Sequence, residues 1–98
     1  MADVVTDQSD FVFGANGSSV TICSHLQTSV YSTTILWYHE NLEGDINLVC
    51  VFTESGLHQD RFVGTLPDAS GKTSLTLRKP TMSDAGLLCH SELRKVIC

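Results

Sequence analysis

Three residues constrain this chain more than any others: Cys23, Trp37 and Cys89. Each sits in a short stretch rich in apolar and β-branched residues. Cys23 closes Ser19-Val20-Thr21-Ile22-Cys23, Trp37 lies within Ile35-Leu36-Trp37-Tyr38, and Cys89 follows Asp84-Ala85-Gly86-Leu87-Leu88. Two cysteines far apart, with a large aromatic after the first, suit short strands layered around one small core. The 98 residues make a single domain, 1–98. A chain of this size buries a modest fraction of its surface, so a cross-link would matter to it.

Short apolar runs alternate with polar turns along the whole length. Strands are expected at Phe11–Phe13, Val20–Cys23, Ile35–His39, Ile46–Phe52, Arg61–Thr65, Thr73–Leu77 and Leu87–Ser91, with Val96–Cys98 opening a last one. Gly14–Gly17, Glu40–Asp45 and Pro67–Gly71 read as turns. Pro80 lacks a donor, so Lys79–Asp84 reads as a cross-over with one helical turn. About eight short strands without an amphipathic helix favour an all-β sandwich over βαβ units. One detail conflicts with a core role for the first cysteine. Strand alternation puts Val20 and Ile22 on one face, and Thr21 and Cys23 on the other.

Composition narrows the function. A net charge of −5 argues against a phosphate-binding surface, so nucleic acid is not expected as a partner. Four cysteines in so short a chain suit an oxidising compartment. No C-x-x-C occurs, and His25, His39, His58 and His90 are scattered, so neither metal nor cofactor is expected. No nucleophile, base and acid converge in any recognisable pattern, and a non-enzymatic role is expected. No apolar run approaches the roughly 20 residues of a membrane span. Met1-Ala2-Asp3-Val4 has no basic start or apolar core. The expectation is a mature ectodomain with an added Met1, anchored to a membrane only through segments outside this sequence.

Taken in order, these pieces resemble an immunoglobulin variable-type domain along nearly the whole chain. Trp37-Tyr38-His39-Glu40 is similar to the tryptophan-strand motif, Arg61-Phe62-Val63-Gly64 to the fourth-strand motif, and Ser74-Leu75-Thr76-Leu77 to the alternating fifth strand. Ser83-Asp84-Ala85-Gly86-Leu87-Leu88-Cys89 resembles the cross-over before the second cysteine. The resemblance implies a V-set sandwich of two antiparallel sheets, pinned by a Cys23–Cys89 inter-sheet disulfide with Trp37 packed against it. Such a bridge contributes on the order of 4 kcal/mol. It also implies an ion pair between Arg61 and Asp84. The chain departs from the pattern in two places: Leu87 stands where a tyrosine is usual, and Asp84 lies one position nearer Cys89 than usual. Cys50 and Cys98 leave two readings, a second bridge or two free or intermolecular thiols. Strands separated by two others are too far apart to bridge, which favours the second.

Within that superfamily the chain is most similar to alpha chains of class-I-restricted T-cell co-receptors, through Asp60-Arg61-Phe62-Val63-Gly64, Leu75-Thr76-Leu77 and Leu48-Val49-Cys50-Val51-Phe52. That resemblance implies a cell-surface immune-recognition domain. It would homodimerise and bind the class I histocompatibility heavy chain with beta-2-microglobulin. The alternatives are another V-set immune receptor or a homophilic adhesion domain. The loops would supply the contacts: Val30, Tyr31 and Ser32; Thr53, Glu54 and Ser55; and Glu92, Leu93, Arg94 and Lys95. Tyr38 and Glu40 alternate with Trp37 and point away from the core, so with Leu48 they are candidates for the dimer face. Two copies of Glu40 near a two-fold axis would repel, unless Lys95 or His39 relieves them. Asn16-Gly17-Ser18 is a glycosylation sequon, with Asn16 as acceptor.

Overall fold

The computed structural model describes residues 4–6, 11–12, 19–26, 34–92 and 95–98. Ten strands are assigned, most of them where alternation of apolar and polar residues called for one. They are β1 (Val4–Thr6), β2 (Phe11–Val12), β3 (Val20–His25), β4 (Thr34–Glu40), β5 (Ile46–Thr53), β6 (His58–Gln59), β7 (Phe62–Gly64), β8 (Lys72–Leu77), β9 (Gly86–Glu92) and β10 (Lys95–Ile97). The expected helical turn in the cross-over is a 3-10 helix, Met82–Asp84. No α-helix occurs among the described residues. β1 and β6 were not legible in the sequence: a strand of two or three residues is too short to show a period.

The strands form two layers. One sheet has the order β1-β3-β8-β7-β6, and the other β10-β9-β4-β5. β2 pairs with the start of β9 and β10 with its end, so the two share one edge of that strand. All pairs are antiparallel except β1 with β3. The architecture is an all-β sandwich consistent with an immunoglobulin-like fold.

The core lies between the layers. Val20, Ile22, Leu75, Leu77 and Phe62 come from the first sheet; Ile35, Trp37, Cys50, Phe52 and Leu88 come from the second. Each fully buried aliphatic or aromatic side chain contributes about 1.5–3 kcal/mol. Gly64 leaves room for one of them, because a Cβ there would run into the Phe52 ring. Gly86 is required for a different reason. Its φ is +140°, and a Cβ would strike the Glu40 carbonyl of the adjoining strand.

The expected Cys23–Cys89 bridge is not formed. Cys89 is bonded to Cys98, and Cys23 and Cys50 are free thiols. Strand parity is the cause. On β3 the inward residues are Val20, Ile22 and Ser24, and Cys23 lies half-buried on the other side. On β9 the core residue Leu88 and the ring-stacked His90 face inward, which turns Cys89 outward. Each cysteine thus stands one residue short of an inward position, and Ser24 and His90 occupy the inward places. The unusual Asp84–Cys89 spacing carried the same information.

Cys50 and Cys98 do lie at opposite edges of the β10-β9-β4-β5 sheet, with two strands between. Cys50 is packed in the core, and burial pushes its thiol up to about 12. It is therefore a small apolar core residue at neutral pH.

The Arg61–Asp84 pair is formed. Arg61 Nη1 and Nη2 donate to the two Asp84 oxygens at 3.0 and 2.9 Å. Asp84 also accepts the Thr81 backbone N–H at 2.7 Å, which fixes the 3-10 turn. Arg61 Nη1 also reaches the Lys79 carbonyl at 3.1 Å. The cross-over is thereby tied to the start of β7. The hydrogen bonds from Arg61 hold the Asp84 carboxyl below its usual 3.8; partial burial opposes this, and the Thr81 N–H reinforces it.

A lowered carboxyl pKa in the folded state means that the contribution is complete above the unfolded value. It is lost as pH falls below 3.8 toward the folded one. Asp84→Asn is expected to cost about 1–2 kcal/mol at neutral pH, the pair being partly exposed. Urea unfolding over a pH series checks this: the gap between variant and parent should narrow below the usual carboxylate value, and a pH-independent gap would contradict it.

Candidate functional site

Strand parity assigns the outer face of the β10-β9-β4-β5 sheet. Ile35 and Trp37 are buried, so Leu36, Tyr38 and Glu40 project from β4 on the other side. Across from them, Ile46 pairs with Glu40, Leu48 with Tyr38 and Val51 with Leu36. The step from Leu48 to Val51 is three residues because the register shifts between Trp37 and Tyr38. Val49 is the extra residue, and it packs against the core. The bulge lets Cys50 and Phe52 point inward while Leu48 and Val51 stay outside. From β9 the same face receives Leu87 and Cys89, and from β10 it receives Val96 opposite Ser91.

The face is apolar for an exposed surface. Leu48 is 51% exposed, Ile46 48%, Val96 41% and Val51 38%. Tyr38 lies half-buried among them. Scattered exposed apolar residues are ordinary, whereas a contiguous group on one sheet face marks an interaction surface. The sequence supplied Tyr38, Glu40 and Leu48, with the apolar strand Ile46–Phe52 beside them; it did not reveal Leu36, Leu87 and Val96, nor which residues of that strand face outward. The bulge hid Val51, since a strict period of two puts it on the face opposite Leu48; Leu87 and Val96 join only through the pairing of their strands.

The disulfide sits on this face. Ile97 pairs with His90, so Cys98 falls opposite Cys89 and bonds it across the strand pair, Cα to Cα 4.1 Å. The Glu40 carboxylate lies within 4.8 Å of both sulfurs. The Glu40 carboxylate makes no hydrogen bond or ion pair among the described residues. His39, a candidate to relieve Glu40, is engaged elsewhere: its Nε2 donates to the Asp84 carbonyl at 2.9 Å.

The expected loop contacts separate into three groups. Val30, Tyr31, Ser32, Leu93 and Arg94 lie outside the described residues, as does Asn16. Thr53, Glu54 and Ser55 form a tight turn closed by paired bonds between Thr53 and Gly56, with Glu54 and Ser55 exposed. Lys95 is exposed at the start of β10. Glu92 does not belong with them. Its side chain is 4% exposed, and it accepts from His90 Nε2 at 3.3 Å inside the sandwich. Alternation along β9 turns it inward with His90. The register nonetheless gathers the loop ends: Thr34 pairs with Thr53, and Trp37 with His90, so the loops before β4, after β5 and after β9 leave one end of the sheet.

Beside this pair, Trp37 and His90 meet edge to face at 5.8 Å. Trp37 Nε1 and His90 Nδ1 are buried without a hydrogen-bond partner among the described residues. The opposite sheet carries a cavity of about 580 Å³, lined by Cys23, His25, Asp68 and Lys72 among others. Its polar groups already serve local structure. Asp68 Oδ1 accepts from the Ser70 and Lys72 backbone N–H groups, and His25 Nε2 donates to the Ser70 carbonyl.

No protein-family model matches the chain, and no curated protein matches it.

The bridge closes a short loop, with a sequence separation of 9. Loop-closure entropy for that length is worth about 2–3 kcal/mol. Cys98→Ser is expected to lower the unfolding free energy by about that amount, while Cys23→Ser changes it by less than about 0.5 kcal/mol. Denaturant titration of both variants checks this; an equal loss in Cys23→Ser would contradict the pairing.

Proposed function

We propose that this chain is a variable-type immunoglobulin recognition domain that pairs with a second copy of itself through the outer face of the β10-β9-β4-β5 sheet. The observation that carries this reading is the group of exposed apolar side chains around Tyr38, with Leu48 half-exposed at its centre. A solvated face gains nothing from them, and a second copy would cover them. The domain measures 36 × 28 × 22 Å, and its larger face can supply the roughly 800 Å² per partner of a standard interface. Face-to-face pairing about a two-fold axis uses the same patch twice and leaves no open surface for further growth.

The resemblance to co-receptor alpha chains extends the reading. As such a chain, the dimer would stand at a cell surface and bind the class I histocompatibility heavy chain with beta-2-microglobulin. The convergence of three loop ends at one edge supports a loop-borne contact, with the exposed Glu54–Ser55 turn and Lys95 among its groups. One observation favours a second reading. Glu40 lies on the pairing face, and self-pairing brings two carboxylates toward the axis. A different V-set chain with a cation there would pair without that cost.

Sedimentation velocity over a concentration series decides between them. The protein is expected to dimerise with rising concentration, and Leu48→Glu to stay monomeric with an unchanged circular dichroism spectrum. A parent that stays monomeric at every concentration rules out self-pairing. In the same preparation, Tyr31→Ala is expected to weaken binding to immobilised class I molecules, and unchanged binding would count against the loop assignment.

A further inference from the structure

We infer that reduction of the Cys89–Cys98 bridge creates a binding site for zinc or a similar thiophilic divalent cation, formed by both sulfurs and the Glu40 carboxylate. The three donor atoms lie within 4.8 Å of one another on the outer sheet face. Ligands around a tetrahedral zinc stand about 3–4 Å apart, with Zn–S near 2.3 Å and Zn–O near 2.0 Å. Once the S–S bond is gone, small side-chain rotations bring all three donors to those distances. The backbone is in place for this, since Cys89 and Cys98 face each other across an antiparallel pair.

Two further features point the same way. Glu40 is the charged side chain amid the apolar residues Ile46, Leu48 and Leu87 of this face, and its carboxylate has no hydrogen bond or ion pair among the described residues. Cys98 is exposed and Glu40 half-buried, so a reductant reaches the bridge through Cys98; Cys89 has no exposed surface while the bridge is intact. Two thiolates and one carboxylate form a soft, anionic donor set that suits zinc over magnesium or calcium. The fourth coordination position is left to water. Cys50 takes no part: it is buried on β5, and burial keeps it a thiol.

The chemistry balances. A dithiol reductant gives two electrons and two protons to the bridge, becomes a disulfide itself, and leaves Cys89 and Cys98 as thiols. The cation then binds as each thiol releases its proton. The bridge therefore acts as a gate: oxidised, the sulfurs are spent on each other; reduced, they become ligands. Every donor comes from one copy, so the site needs no partner; it lies on the proposed pairing face, and the metal titration is therefore run at a concentration where sedimentation shows a monomer.

The test uses Co²⁺ and Zn²⁺ on the whole chain, reduced with a phosphine that is itself oxidised to the phosphine oxide. The reduced protein is expected to bind one equivalent of Co²⁺, with thiolate-to-metal charge-transfer absorption and the visible bands of tetrahedral cobalt. Zn²⁺ should bleach these bands. Glu40→Gln should weaken binding at least about tenfold, since even supporting residues around a metal typically matter by 10–100-fold. Cys89→Ser should abolish the signal although Cys23, Cys50 and Cys98 remain. Zn²⁺ should also raise the thermal midpoint of the reduced protein and leave the oxidised one unchanged. The inference is overturned if Glu40→Gln binds as tightly as the parent, or if Cys89→Ser keeps the cobalt spectrum. It is equally overturned if reduction unfolds the chain and zinc does not restore it.

Discussion

Trp37 and Phe52 have no exposed surface, and they share one cluster with Ile22, Leu75 and Leu77 of the facing sheet. Among the described residues no disulfide crosses between the layers. Side-chain burial is the main force between the sheets, helped by the Arg61–Asp84 pair at the cross-over. An inter-sheet bridge is worth on the order of 4 kcal/mol, and two or three buried apolar side chains match it. The core holds more than that number. The cost appears in its polar members: Ser24 and His90 take the inward places next to the cysteines, and the Trp37 and His90 ring nitrogens are buried without partners.

The remaining features depend on the same alternation. It places Glu92 beside His90 in the interior and Cys89 outside beside Glu40. It also gathers the apolar residues of β4, β5 and β10 on the outer face. A single bulge at Val49 reconciles the demand for Cys50 and Phe52 inside with Leu48 and Val51 outside. The Arg61–Asp84 pair closes the other end of the domain, where the chain crosses between layers.

Much of this was legible in the sequence. Strand positions, the 3-10 cross-over and the outward direction of Tyr38 follow from alternation and turn residues, and the Arg61–Asp84 pair is what the family resemblance implies. The disulfide departs from the motif because strand parity, not motif order, decides which cysteines face each other. Val20 and Ile22 already placed Cys23 on the wrong side, and the short Asp84–Cys89 interval said the same of Cys89. The full extent of the apolar face was not legible. A bulge changes the phase of a strand, and only the partner strand reveals where it sits.

The position of the bridge has a mechanical consequence. A domain pulled by its two ends bears tension along its backbone. A bridge from Cys23 to Cys89 would keep about 230 Å of contour from paying out, at 3.3–3.6 Å per residue. The bridge that forms withholds only about 30 Å, since its ends are separated by 9 in sequence. Under load, nearly the whole domain is free to extend once the sheets part.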